Sequence, residues 1–104
     1  MIHLVPVSKR LPEFPAIRAL YREAFPPEEQ APFWLLMRKT KLPMTDFWAF
    51  YEQETWVGFA YVIQNETLAY LFYLAISSEQ RGKGYGHQAM ACLKEQYASK
   101  TLFL

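Results

Sequence analysis

The stretch QRGKGYGHQAM, residues 80 to 90, decides how this chain is read. Three of its four glycines, Gly82, Gly84 and Gly86, fall within five positions there, flanked by Arg81 and Lys83. Ahead of them Thr67 to Ser77 is nearly unbroken apolar sequence, the pattern of a strand. Behind them Gly86, Met90, Leu93 and Tyr97 recur at helical spacing. Backbone this bare between a strand and a helix has two readings. It makes a tight connection and nothing more, or it lets an anion approach the unpaired N–H groups and partial positive charge of a helix start. Two familiar phosphate loops do not fit. A P-loop requires Ser or Thr after Gly-Lys, and here Gly82-Lys83 precedes Gly84. The dinucleotide fingerprint needs its third glycine where His87 stands and an acid roughly 20 residues on, where the sequence is ending.

Working outward, the order of elements follows from period and from the prolines. Ile2 to Val7 alternates weakly and predicts a first strand, closed by Ser8-Lys9-Arg10. Phe14, Ile17, Leu20, Tyr21, Ala24 and Phe25 predict an amphipathic helix, with Pro15 in its first turn and Pro26-Pro27 forbidding its continuation. The polar turn Glu28-Glu29-Gln30 follows, then a second helix over about Pro32 to Lys39. Beyond Pro43 the period becomes extended. Phe47 to Tyr51 and Trp56 to Ile63 predict a hairpin around Glu52-Gln53-Glu54, and Thr67 to Ser77 adds a third antiparallel strand after Asn65-Glu66. The apolar run of that third strand predicts burial on both faces. A helix over about Gly84 to Ala98 and a strand from Thr101 to Leu104 complete the order. The apolar Leu102-Phe103-Leu104 is either a short edge strand or the place where a longer domain has been cut, and the second is expected.

Composition narrows the class. A chain of 104 residues with 52% hydrophobic and 20% charged residues builds one domain, and a net charge of +1 supplies no field for nucleic acid or an anionic membrane. An anion must therefore be held locally. The one cysteine, Cys92, excludes an internal disulfide, and with only His3 and His87 beside it no metal-ligand spacing is formed. The N-terminus lacks the pattern of an export signal, and no apolar run approaches the roughly 20 residues that span a bilayer, so a cytoplasmic setting is expected.

The segment LFYLAISSEQRGKGYGHQAMACLKEQY, residues 71 to 97, resembles the central motif of the GNAT family of N-acetyltransferases, whose signature is Gln or Arg, two residues, Gly, one residue, then Gly or Ala. Arg81, Gly84 and Gly86 match it, and the element order follows the family from residue 1 to 104. The resemblance implies an α/β (α+β) fold on a mixed sheet: strand, helix, helix, three antiparallel strands, glycine loop, helix, strand. It implies acetyl-CoA as cofactor. The pyrophosphate would rest on Arg81, Gly82, Lys83, Gly84, Tyr85, Gly86 and His87. The pantetheine arm would add to the strand at Leu74, Ala75 and Ile76, with an N–H near Leu74 or Ala75 facing the thioester oxygen. The family continues past the fifth strand, so the chain is expected to be one incomplete acyl-CoA-binding domain.

The implied reaction is direct attack of a primary amine, carried by a small molecule or a protein, on the acetyl carbonyl. Tyr70 and Tyr73 would line the cleft, although strand alternation puts them on opposite faces unless a bulge intervenes. Each reads equally as a core tyrosine. Glu28 and Glu29 would border the acceptor and select a cation, or they are solvated acids. His87 either touches phosphate or is exposed filler, and Cys92 is a small core residue rather than a nucleophile. Trp34, Trp48 and Trp56 read as core or pocket wall. Beside the enzyme stand two alternatives: a CoA-binding module without turnover, and a fragment completed as a homodimer through its open edge.

Overall fold

A computed structural model describes residues 1–103 of the chain, so Leu104, the last residue of the expected final strand, lies outside the described residues. The order is β1 (Ile2–Pro6), α1 (Phe14–Ala24), α2 (Phe33–Lys39), β2 (Thr45–Glu52), β3 (Thr55–Gln64), β4 (Leu68–Ile76), α3 (Tyr85–Gln96) and β5 (Thr101–Phe103). The strands form one sheet in the order β1-β2-β3-β4-β5, antiparallel except for the parallel pair β4 and β5. The mixed sheet, the meander and the helix order agree with the sequence expectation.

Proline and short polar runs set the element ends as anticipated. Pro15 sits in the first turn of α1, and the helix ends where Phe25 turns extended ahead of the two prolines. Pro27–Glu29 forms a single 3-10 turn, and Pro32 directly precedes α2. The β2–β3 hairpin turns through Gln53 at φ +56°, a left-handed conformation in a two-residue connection.

The sheet is sandwiched. On one face α1 and α2 bury Ile17, Leu20, Tyr21 and Leu36 against Phe47, Ala49, Phe59 and Tyr61. On the other, α3 buries Ala89 and Leu93 against Phe50, Val57, Ala60 and Val62. The stripe of α3 is thus centred on Ala89 and Leu93, and Gly86, expected on it, is exposed at the helix start. A polar clasp ties the end of α3 to the sheet. The Tyr97 hydroxyl donates to Asp46 Oδ2 at 2.5 Å and accepts from Trp48 Nε1 at 2.9 Å, while Gln64 Nε2 donates to the same Asp46 oxygen at 2.7 Å.

One expectation fails. β4 is not buried on both faces: Tyr70 and Phe72 remain about half exposed, beside Phe103 at the sheet edge. The reason is a bulge. Register passes from Tyr61 opposite Tyr73 to Val62 opposite Leu71, so Phe72 has no partner of its own. Past the bulge Tyr73 and Ala75 lie beneath α1 and α2, while Tyr70 and Phe72 share that face beyond the helices' reach. The apolar run encodes a strand covered by α3 on one face and, on the other, covered at Tyr73 and Ala75 but left exposed at Tyr70 and Phe72.

The glycine outside the loop also has a physical role. A Cβ on Gly58 would stand 2.3 Å from the Ala75 carbonyl oxygen and 3.1 Å from Ile76 Cα, both main chain. β3 and β4 approach closely at this point because position 58 carries no side chain. Replacing Gly58 with alanine is expected to lower stability by about 2 kcal/mol, within the range of overpacked cores, which urea denaturation would register as a lower midpoint with unchanged slope.

Candidate acyl-donor site

The end of β4, the loop after it and the start of α3 form one continuous feature. Ser77 closes the strand by donating its N–H to the Val57 carbonyl at 2.8 Å, and Ser78–Gln80 makes a 3-10 turn. Gly82 and Gly84 then take φ of +79° and +81°, the left-handed region where a Cβ is penalised, and Gly84 is the residue that caps α3. The cap is bare. No side chain accepts a hydrogen bond from the first turn, and that turn contains no acidic residue.

Six consecutive main-chain N–H groups, Gly82 to His87, have no hydrogen-bond partner among the described residues; the first bond of α3 is from the Gln88 N–H to the Gly84 carbonyl at 3.2 Å. A Cβ placed on Gly82, Gly84 or Gly86 would meet nothing within 4 Å, and of the residues from Gly82 to His87 all but Tyr85 are exposed. Gly82 and Gly84 are left-handed on either side of Lys83, whose φ is not positive, and the dipole of a twelve-residue helix adds partial positive charge at its start. Arg81 braces the loop by donating its Nε–H to the Ile76 carbonyl at 3.1 Å, and Lys83 Nζ reaches Gln80 Oε1 at 3.2 Å. This donor set suits a diphosphate: many N–H groups, two cations and no carboxylate.

The strand leading into the loop presents the second element. β5 pairs with β4 only at Leu68, Ala69 and Tyr70, leaving the outer ladder edge of β4 from Leu71 to Ile76 without a strand partner among the described residues. Leu74 and Ile76 point toward α3, and Ala75 toward the α1 and α2 face. An extended chain carrying amide groups fits such an edge by strand addition.

The residues considered for chemistry fall in different places. The bulge puts Tyr70 and Tyr73 on the same face, yet it does not join them. Tyr70 is exposed and stacks on Phe103 with ring centroids 5.7 Å apart. Tyr73 is half-buried, edge-on to Tyr21 and Phe25, and its hydroxyl donates to the Glu29 carbonyl at 2.7 Å and accepts from the Ala31 N–H at 3.3 Å. Tyr73 therefore pins the α1–α2 connection to β4 just past the bulge. Glu28 and Glu29 are exposed on that pinned turn, and only the main chain of Glu29 joins Tyr73. His87 is exposed in the first turn of α3.

Two residues that carry this geometry had no distinct signal in sequence. Tyr21, spaced like any core residue, is 1% exposed and donates to the Ala31 carbonyl at 2.7 Å. Burial, and then the Tyr73 hydroxyl, pushes its phenol well above the ordinary range, so it stays protonated at neutral pH. Gln30 bonds the Phe25 carbonyl at 2.6 Å and the Arg22 carbonyl at 3.0 Å, closing the end of α1. Cys92 is half-buried against the α3 core, and burial first, then the Glu95 charge, raises its thiol above the ordinary value. Among the described residues no group of three or more His, Cys, Asp or Glu could hold a metal, and no helix is long and apolar enough to cross a membrane.

Comparison with known proteins agrees with this architecture. The profile of the acetyltransferase (GNAT) family matches residues 14–104. A protein from Bacteroides thetaiotaomicron, described as an acetyltransferase from the GNAT family, superposes with a TM-score of 0.82 at 21% identity over 90% of this chain and 55% of its own. An aminoglycoside 6'-N-acetyltransferase solved with coenzyme A gives 0.69 at 22% identity over 93% and 56% of the two chains. The ribosomal-protein-S18-alanine N-acetyltransferase of Escherichia coli gives 0.68 at 15% identity over 92% and 59%. The chain thus spans little more than half the length of these three structures. No curated protein sequence matches it. The matched profile takes in the bare glycine loop, the bulged β4 and the helix after them, and the chain belongs to the GNAT acetyltransferase family.

Proposed function

We propose that the chain carries the acyl-CoA half of an N-acetyltransferase acting on a primary amine. The observation that carries this reading is the row of six N–H groups from Gly82 to His87, unpartnered among the described residues and, Tyr85 apart, on exposed residues. When bound, acetyl-CoA supplies an acetyl group already activated as a thioester. The loop amides, with Arg81 and Lys83, hold its diphosphate; Leu74, Ala75 and Ile76 offer main-chain groups to its amide-bearing arm. A main-chain N–H near Leu74 or Ala75 serves the carbonyl oxygen as developing negative charge collects there. β5 stops short of this length of β4, and Tyr73 holds the α1–α2 turn beside it, where an amine would arrive.

An amine resembling lysine has a pKa of about 10.4, so its approach requires a group or a water chain to take a proton. Glu28 and Glu29, exposed on the turn held by Tyr73, are placed to favour a cationic acceptor. With both changed to glutamine, the acceptor KM is expected to rise severalfold with kcat nearly unchanged; an unaltered KM removes them from the site.

A second reading, CoA binding without turnover, is favoured by one observation: the Tyr73 hydroxyl, closest to the bulge of the groups considered, is engaged by Glu29 and Ala31. Calorimetry with acetyl-CoA and CoA, run beside thiol release over a panel of amines, separates the two. Binding with release establishes the transferase. Binding without release for any amine favours the module, and absence of binding removes the cofactor assignment.

A further inference from the structure

A cavity of about 820 Å³ lies away from the acyl-donor site, between α1 and α2. Five cationic side chains line it: Lys9, Arg18, Arg22, Arg38 and Lys41. No carboxylate residue does. Its apolar floor comes from Phe14, Phe33 and Met37, and Trp34 stands at its wall with 64% of its surface exposed. Across the sheet the row runs from Val7, a lining residue, through Phe47 and Tyr61 to Tyr73. Three strand spacings put the Val7 end of the groove roughly 15 Å from β4, while its other end, at Arg22 and Pro32, flanks the turn held by Tyr73.

The charge there is unbalanced in a way the whole chain conceals. Seven of the eleven Lys and Arg residues lie between positions 9 and 41, against four acids. The one ion pair among the described residues is elsewhere, between the N-terminal amine and Glu52 at 2.8 Å. Five exposed cations around one groove repel one another and gain nothing from protein partners, while an anionic occupant relieves them.

We infer that this groove binds an acidic peptide segment in which carboxylate and apolar side chains alternate. The form of the charge selects this class. A single phosphate is held by converging donors, whereas here the cations stand on separate elements: Lys9 after β1, Arg18 and Arg22 on α1, Arg38 on α2 and Lys41 beyond it. Arg18 and Arg22 are one turn apart on α1, about 6 Å along the axis. Arg38 and Lys41 stand on the side belonging to α2. An extended chain distributes its carboxylates over such spacings and sends alternate apolar side chains toward Phe14, Phe33 and Met37. Exposed tryptophan with arginine is also the composition of binding hot spots. Nucleic acid is the less favoured occupant, because the five cations border one groove with an apolar lining and form no stripe along a helix or strand.

The test uses the full chain and a fluorescein-labelled peptide of alternating aspartate and leucine, with anisotropy and tryptophan emission as readouts. A dissociation constant on the order of 10 to 100 μM at low salt is expected, weakening severalfold as salt is raised. Arg18→Glu with Arg22→Glu should weaken it by at least about tenfold, and Arg38→Glu with Lys41→Glu, an independent pair should the first misfold, should do the same. Trp34→Phe should abolish the emission change, since Trp48 and Trp56 are held by Tyr97 and the Gly58 carbonyl. CoA affinity should stay within about twofold in both charge-reversed proteins, because their side chains lie outside the glycine loop. The inference is overturned if the lysine–leucine counterpart binds as tightly, if oligouridylate RNA or inorganic pyrophosphate competes better than the acidic peptide, or if both charge reversals leave its affinity unchanged.

Discussion

With Gly84 replaced by valine, CoA affinity is expected to fall by about thirtyfold to a hundredfold, which corresponds to roughly 2 to 3 kcal/mol of binding free energy. Crowding is not the cause, because a Cβ at this position meets nothing within 4 Å. The cause is the φ of +81°, where a β-branched residue costs on the order of 2 kcal/mol. Two responses are open to the protein. If the loop holds its shape, the strain enters global stability and Tm drops by about 8 °C while binding survives. If the loop relaxes, Tm barely moves and the peptide planes on either side of residue 84 rotate, turning their N–H groups away from the anion. No side chain packs against the exposed glycines to hold the loop, so relaxation is the cheaper course and binding is what is lost. Gly86 is the control: its φ is not positive and it lies inside the first turn of α3, so alanine there should keep CoA binding within about threefold and add up to about 1 kcal/mol of helix propensity. Calorimetry and a melting curve on the two variants decide it, and a Gly84→Val protein that binds CoA as the parent does, with a Tm that has not moved, sinks the anion-loop reading.

The second large effect is in alkali. Tyr21, Tyr51, Tyr61 and Tyr97 are between 1% and 8% exposed, and burial is the leading reason each phenol ionises later than its ordinary value of 10.0. Tyr61 is pushed up to about 12. Tyr51 and Tyr97 are raised further because their hydroxyls donate to the carboxylates of Glu13 and Asp46, which gain nothing from a phenolate. In the unfolded chain all four phenols lose their protons near pH 10, while the folded protein keeps them. The folded state is therefore favoured in full below pH 10, and its advantage declines as pH rises toward the folded values. Each tyrosine contributes about −1.4 kcal/mol per pH unit, so four together give a slope of about −5 kcal/mol per unit. Against a total of about 5 to 15 kcal/mol for a domain, cooperative unfolding is expected between about pH 11 and 13. Phenolate absorbance and near-UV circular dichroism should change together, and Tyr61→Phe should flatten the slope by about one quarter. Four late tyrosines that ionise before the fold is lost would contradict the packing described for both faces of the sheet.

Much of the architecture is written locally. Pro15, Pro26 and Pro27 bound α1 through chemistry that needs no partner, since a proline has no N–H and its ring fixes φ. Glu52-Gln53-Glu54 and Asn65-Glu66 separate three extended runs, and Gly82 and Gly84 mark the loop because only glycine enters the left-handed region without penalty. These signals were enough for the element order and for the loop on which the cofactor assignment stands.

What sequence could not resolve depended on a single residue of register. Along β4 the faces are assigned by alternation, and one unpaired residue, Phe72, reverses the assignment for everything on one side of it. Whether Tyr70 and Tyr73 share a face, and whether the strand is covered on both, follow from that bulge rather than from composition. The same holds for the Tyr73 hydroxyl, whose partners Glu29 and Ala31 lie more than forty positions away in sequence.

The cations between Lys9 and Lys41 make the same point at the surface: a count showed a nearly neutral chain, and only the packing of α1 beside α2 gathered five of them around one apolar groove. Backbone freedom and helix or strand period are properties of neighbouring residues and could be read from the sequence alone. Face, depth and charge clustering belong to residues distant along the chain, and only the tertiary structure brings them together.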